Sequence, residues 1–359
     1  MTDMTGFTID EVAIPASLDS ADAADFIRTI EVGNDVEEAA YGTRGLAYEP
    51  DEELPRFFNP HEPERMFLAR VGGEIVARGL YETQTGDEAD TAWLTAQVLP
   101  DYRGRGIGTA LAETLEGIAR GEGKTKAIVY TPIPEAPGPR LDSPTGFGSI
   151  HADNREVRFL QARGYRLEQV ERASRLDLPM DGLDELIAAA QHRSGPNYAL
   201  RFWVGSTPKP FLPGMATLNT RMSTDAPSAG LEEPADPWTV ERVVADDELN
   251  ERMHPRTRVY AAVEHVPSGE LVGYTHLAVP RQQHRLVNQY ATLVLKEHRG
   301  HALGMLLKVG NLAHLERVAP GHPGVITFNA EENRHMLDVN EAVGFVPIAA
   351  ESAWRKDLA

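Results

Sequence analysis

Apolar positions along the chain follow two periods. Alternation with a period of two marks strands at Met66–Val71, Glu74–Glu82 and Thr91–Leu99, with Gly72-Gly73 turning the first pair. A period near 3.6 follows at Thr109–Arg120, where Leu111, Leu115 and Ile118 share one helix face. The short apolar run Ala127–Thr131 reads as another strand, so strand, helix and strand make a right-handed parallel crossover. Asn154 then opens a helical stretch that stops at Gly164-Tyr165, with the glycine at a left-handed C-cap.

The same order recurs downstream. Val259–His265 and Glu270–Val279 read as paired strands and Asn288–Leu295 as the next one. Met305–Arg317 is then a helix with Leu306, Leu307, Leu312 and Leu315 as its apolar set, and Val325–Phe328 a strand. Asn333 opens the last helix, which stops at Gly344-Phe345. Arg103 and Arg299 head the two strand-to-helix turns 196 positions apart, whereas Gly164 and Gly344 are 180 apart, so the first copy holds 16 extra residues. These fall in the Pro/Gly-rich stretch 131–150, expected to be an irregular loop that either walls a substrate site or decorates the surface. Ala173–Leu178 is expected to close the first copy, Leu183–His192 to be a short helix, and Tyr198–Val204 to open the second copy. Ser223–Asp236 reads as a loop within the second copy. The expected domains are 8–180 and 197–359.

An apolar fraction of 42% and a charged fraction of 25% suffice for a packed core in each half. The net charge of −19 disfavours nucleic acid and anionic membranes as partners, and would either attract cationic amines or serve solubility. Without cysteine there are no disulfides, thiolate metal sites or Cys acyl-enzyme. No histidine pair has zincin-like spacing with a third ligand, so no metal is expected. The acidic N-terminus lacks the features of a signal peptide, and no apolar run nears the ~20 residues of a membrane span, so a cytoplasmic location is expected.

The candidate chemistry sits in the turn Arg103-Gly104-Arg105-Gly106-Ile107-Gly108, which leads through Thr109 into a helix. Glycines there let the backbone approach a pyrophosphate, and the helix N-terminus favours anions. Arg103, Gly106 and Gly108 match the coenzyme A signature Arg/Gln-x-x-Gly-x-Gly/Ala, and with the Asn154–Tyr165 ending the chain resembles the GCN5-related N-acetyltransferases (GNATs). The second turn, Arg299-Gly300-His301-Ala302-Leu303-Gly304, resembles the same signature with Ala302 in a glycine position, so it either binds coenzyme A too or is a structural repeat. The tandem layout is similar to that of family members such as mycothiol synthase.

That resemblance implies an α+β fold: two tandem domains, each a mixed, mostly antiparallel sheet with a splayed central strand pair and flanking helices. It also implies acetyl-CoA as cofactor. The strand before each turn, bulged in the family, would offer backbone donors at Gln97, Val98 and Leu99, and at Leu293, Val294 and Leu295. Asn154 and Asn333 join the expected cofactor-binding set. The implied reaction is direct attack of a small cationic amine on the thioester; the alternatives are a non-catalytic acyl-CoA-binding module and a protein or peptide N-acetyltransferase. Glu82 and His276, on the third strand of each copy, are the candidate bases, or else ordinary surface or core residues, with His151 a weaker choice. The tyrosine that often serves the family as acid is replaced by Leu160 and Asn340.

Overall fold

The structure is a computed structural model that describes residues 6–86, 89–225, 227–253 and 255–358. The first five residues of the N-terminus read above as lacking signal-peptide features, Ala359 at the end of the expected second domain, and Ala226 in the expected loop lie outside the described residues. In chain order the elements are β1 (Thr8–Glu11), α1 (Ala23–Tyr41), α2 (Pro50–Glu53), β2 (Glu64–Val71), β3 (Glu74–Thr83), β4 (Thr91–Val98) and α3 (Ile107–Gly121). Then come β5 (Lys126–Ile133), β6 (Arg140–Asp142), β7 (Ser149–His151), α4 (Arg155–Ala162), β8 (Arg166–Asp177), α5 (Leu183–Ser194) and β9 (Tyr198–Val204). The remainder are α6 (Leu212–Asp225), α7 (Val240–Met253), β10 (Thr257–His265), β11 (Glu270–Val279), β12 (Val287–Val294), α8 (Leu303–Val318), β13 (Gly324–Ala330), α9 (Arg334–Val343) and β14 (Val346–Asp357). No helix among the described residues is long and apolar enough to cross a membrane.

Contacts divide the chain into two compact units, each discontinuous in sequence. The first comprises the chain to Val170, Ser228–Pro234, and Ala349 onward; the second comprises Glu171–Pro227 and Ala235–Ile348. In the first unit the strand order is β1-β2-β3-β4-β5-β14, with only β4 and β5 parallel. In the second it is β8-β13-β12-β11-β10-β9, with only β12 and β13 parallel. Each sheet therefore ends on a strand from the other half of the sequence. Ala350–Asp357 pairs with β5, and Glu171–Asp177 pairs with β13. Ala173–Leu178 thus does not close the first copy's own sheet, and the expected split 8–180 and 197–359 lacks this exchange. The side chains support it: Trp354 is fully buried in the first core, and Arg172 makes a two-pronged ion pair with Glu331 at 2.8 Å in the second.

Two further expectations are corrected. The stretch 131–150 is not all loop: β5 runs on to Ile133, and β6 pairs with β7 from Arg140↔His151 to Asp142↔Ser149. Ser143 and Gly146 turn that hairpin, with the Gly146 N–H donating to the Ser143 carbonyl at 3.0 Å. Ser228–Pro234 belongs to the first unit rather than the second. Leu231 is fully buried there with Ile128 and Ala353, a contact worth about 1.5–3 kcal/mol by area alone.

Directly opposed residues on antiparallel strands share a face, so the register sorts the first sheet. Tyr81, Ala92, Leu94, Val98, Ile133 and Trp354 pack with Leu111 and Leu115 of α3 in one core. The opposite face carries Arg78, Leu80 and Glu82 of β3 across from Gln97, Thr95 and Trp93 of β4. Helix α1, which lies against β3 and β4, covers that face with Phe26, Ile30 and Val36 buried.

Candidate active site

In the first unit β4 and β5 pair only over Thr91–Trp93 with Lys126–Ile128, although both strands run several residues further. The divergence opens a cleft of about 330 Å³, lined by Leu94–Val98, by Val129–Pro132, by the turn from Arg103 to Thr109, and by Glu37, Phe159 and Tyr165. The β3–β4 ladder is regular from Ala77↔Val98 to Thr83↔Ala92, so the first unit opens without the expected bulge. In the second unit the register does break, between Thr275 and Leu277 opposite β12.

The Leu99 N–H donates to Val76 of β3 at 3.0 Å, so it faces the ladder and is not a donor for the cleft. Alternation then turns the N–H and C=O of Val98 toward the opening. The Val98 carbonyl is taken by Arg103 Nε at 2.8 Å, while Arg103 Nη1 lies 3.3 Å from Glu156. Arg103 therefore fastens the turn to β4 and α4. Helix α3 has no side-chain N-cap, and its first internal bond runs from the Ala110 N–H to the Gly106 carbonyl at 3.0 Å. The amides ahead of that bond point out of the helix end, where an anion would be favoured. Gly106 has φ +88°, and a Cβ built on it meets nothing within 4 Å. Open space, uncapped amides, and Arg103, Arg155 and Arg163 in the lining fit a phosphate-bearing ligand whose slender tail enters between the strands.

The second unit repeats the fastening: Arg299 Nε donates to the Val294 carbonyl at 3.1 Å, and the Leu295 N–H is engaged with Val272 at 2.9 Å. Helix α8 also lacks a side-chain cap. Ala302 stands at φ +55°, a left-handed conformation that costs an L side chain of order 1 kcal/mol. Ala302→Gly is accordingly expected to raise stability by about 0.5–1 kcal/mol in denaturant unfolding. An unchanged or lower midpoint would mean that the turn carries no such strain.

Residues 34–135 match the profile of the acetyltransferase (GNAT) family. No curated protein matches the chain. Among solved structures, a tandem GNAT protein from the clavulanic acid biosynthesis pathway, determined without acetyl-CoA, superposes with a TM-score of 0.72 at 24% identity, covering 98% of this chain and 99% of that one. A GCN5-related N-acetyltransferase from Sphaerobacter thermophilus superposes with a TM-score of 0.61 at 16% identity over 98% and 96% of the two chains. This chain has the tandem GNAT fold.

Within that GNAT fold the expected residues separate by role. Gln97, Val98, Arg103, Gly104, Gly106, Gly108 and Thr109 line the cleft. Ile107 and Leu303 are core residues whose side chains are 1% and 2% exposed. Arg105 bends back to the Asp101 carbonyl at 2.9 Å. Asn154 is the N-cap of α4, accepting from the amides of Glu156 and Val157, and Asn333 caps α9 through the Met336 amide. Both asparagines serve the helix ends. Of the second turn's neighbours, Leu293 is core, Lys296 and Arg299 are held by the buried Asp225 at 3.3 and 3.6 Å, and His301 packs on Tyr198 at 5.2 Å.

Neither candidate base lies in the cleft. Glu82 pairs with Arg56 at 3.0 Å on a separate pocket of about 250 Å³ that also holds Glu64 and Trp93. His276 is stacked between Tyr260 and Tyr290 at 5.1 and 5.3 Å, and burial, with the charge of Arg258, pushes its pKa down to about 3. A group so weakly basic is mismatched to proton abstraction near neutrality.

The carboxylates in the cleft lining are Glu37 of α1 and Glu156 of α4, the latter paired with Arg103 at 3.3 Å; Glu351 of β14 stands behind the lining, close enough to Glu37 to feel its charge. Glu37 accepts from Gln97 Nε2 at 3.0 Å and lies 3.4 Å from Arg78. Glu351 is opposite the cleft residue Pro132, and Tyr41 donates to its Oε1 at 3.4 Å. Burial, then the nearby charge of Glu37, raises the Glu351 carboxyl to about 7. Tyr130 and Tyr165 also line the cleft, but their hydroxyls donate to Glu233 at 3.0 Å and to buried Glu116 at 3.3 Å. The Phe26, Ile30 and Gly42 pattern could have revealed α1 in the sequence. Nothing local could have revealed that Glu351, far down the chain, sits beside it.

Proposed function

We propose that the first unit is an acetyl-CoA-dependent N-acetyltransferase, acting in the cytoplasm on the amine of a small cationic molecule. The observation that carries this reading is the cleft itself, open between β4 and β5, with an uncapped helix end on one side and Glu37 on the other, and with Glu351 opposite the lining residue Pro132. Coenzyme A, when bound, supplies an acetyl group activated as a thioester. The amides from Gly104 to Thr109, with Arg103 and Arg155, would hold its phosphates, and the Val98 N–H faces the opening between the strands.

Glu351 takes the proton that an ammonium must lose before its nitrogen can attack, since a carboxyl near 7 is matched to that task. Glu37, Gln97 and Arg78 form the polar wall beside it. With both cleft phenols already bound to carboxylates, the thiolate leaves unassisted, which a thiol pKa near ~8.5 permits. The acidic charge of the chain favours a cationic acceptor.

The test is coenzyme A release from acetyl-CoA by the purified full chain across polyamines, amino sugars and amino acids. Release that depends on, and saturates with, one of these amines is expected. Saturable acetyl-CoA binding with release no faster than solvent hydrolysis on every amine would make the protein a non-catalytic acyl-CoA-binding module instead.

A further inference from the structure

Four residues beyond the last glycine of each turn the two units differ. The first has Ala112, which lines the cleft; the second has Lys308. Helices α3 and α8 start at corresponding residues, Ile107 and Leu303, so Ala112 and Lys308 occupy the same place on their helices. Lys308 is 1% exposed and makes no ion pair or hydrogen bond among the described residues; its ammonium lies 5.6 Å from the ring centre of Phe345. Phe345 is the second unit's counterpart of Tyr165, another lining residue of the first cleft.

A third lining position differs in the same sense. Leu160 is replaced by Asn340, also 1% exposed, whose Nδ2 donates to Asn329 Oδ1 at 2.7 Å and ties α9 to β13. In the first unit the corresponding elements, α4 and β5, both line the cleft.

We infer that Lys308, packed on Phe345, fills in the second unit the space that the coenzyme's pantetheine arm takes in the first, so the chain holds one acyl-CoA, in the first unit. The inference rests on reading the first cleft as the coenzyme A site. Arg299 and the uncapped end of α8 keep much of the anion-binding geometry despite Ala302 and the Arg299–Asp225 contact, so the difference that excludes the coenzyme is placed below the turn. Burial alone pushes the Lys308 amine down to about 7, in keeping with a side chain shut in an apolar channel.

Calorimetric titration of the full chain with acetyl-CoA tests this. One site is expected on the wild type and on Lys308→Met, whose side chain fills the same space without the charge, and two on Lys308→Ala. Two sites on the wild type, or one on a folded Lys308→Ala, would overturn the inference. Gly106→Glu asks the same question without touching the second unit: no site should remain, and a surviving site would put the coenzyme in the second unit. No binding to the wild type at all would sink the reading of the first cleft instead.

Discussion

Gly106→Glu is expected to weaken acetyl-CoA binding at least about a thousandfold, a loss of roughly 4 kcal/mol. Two effects add. The residue sits at φ +88°, where any L side chain is strained by about 1–2 kcal/mol, and the new carboxylate stands at the helix end that would receive the phosphates. The fold should survive, because a Cβ at this position meets no protein atom within 4 Å. Gly106→Ala separates strain from charge. Ala302 holds the matching position of the second unit at φ +55°, so alanine is tolerated in this turn and should cost no more than about tenfold in affinity. Calorimetry together with a thermal melt reads both. A Gly106→Glu protein that melts like the wild type and binds within tenfold of it would remove the turn from the cofactor site.

Much of this site was legible in the sequence because its parts are local. The spacing of Arg103, Gly106 and Gly108 after an alternating strand and before a periodic helix locates the turn, and β9, β11 and α8 follow their apolar patterns to within two residues. What local pattern could not show was pairing between distant segments. Ala350–Asp357 (AESAWRKD) carries no clean apolar alternation, and nothing within it states that its partner is β5 rather than β13. The same limit hid Glu233, which reaches Trp93 and Tyr130 only because Leu231 is anchored between Ile128 and Ala353. Glu82 was a reasonable choice by strand position, but register places it opposite Trp93, where β4 and β5 are still paired and the cleft has not yet opened. His276 failed for an energetic reason, since the tyrosines around it strip away the water that a charged imidazole needs.

Glu351→Gln should lower kcat by about 10²–10⁴-fold, the range a positioned general base contributes, with little change in acetyl-CoA affinity. In the wild type kcat/KM should rise with pH through about 7, as the Glu351 carboxyl ionises; in the variant that limb should be missing. Tyr41 and Glu37 are the groups that face this carboxyl, and Tyr41→Phe, by removing a hydroxyl that holds its pKa down, should move the limb to higher pH. Instability would not account for the loss of rate. A carboxyl whose folded pKa is raised from 4.5 to about 7 binds its proton more tightly in the native state, so its contribution to stability is present at low pH and lost as pH rises through that window. Above neutrality the glutamine variant should therefore melt at or above the wild-type temperature. If it retains wild-type kcat and the same ascending limb, proton removal lies elsewhere, and Glu37, which lines the cleft beside it, becomes the residue to test.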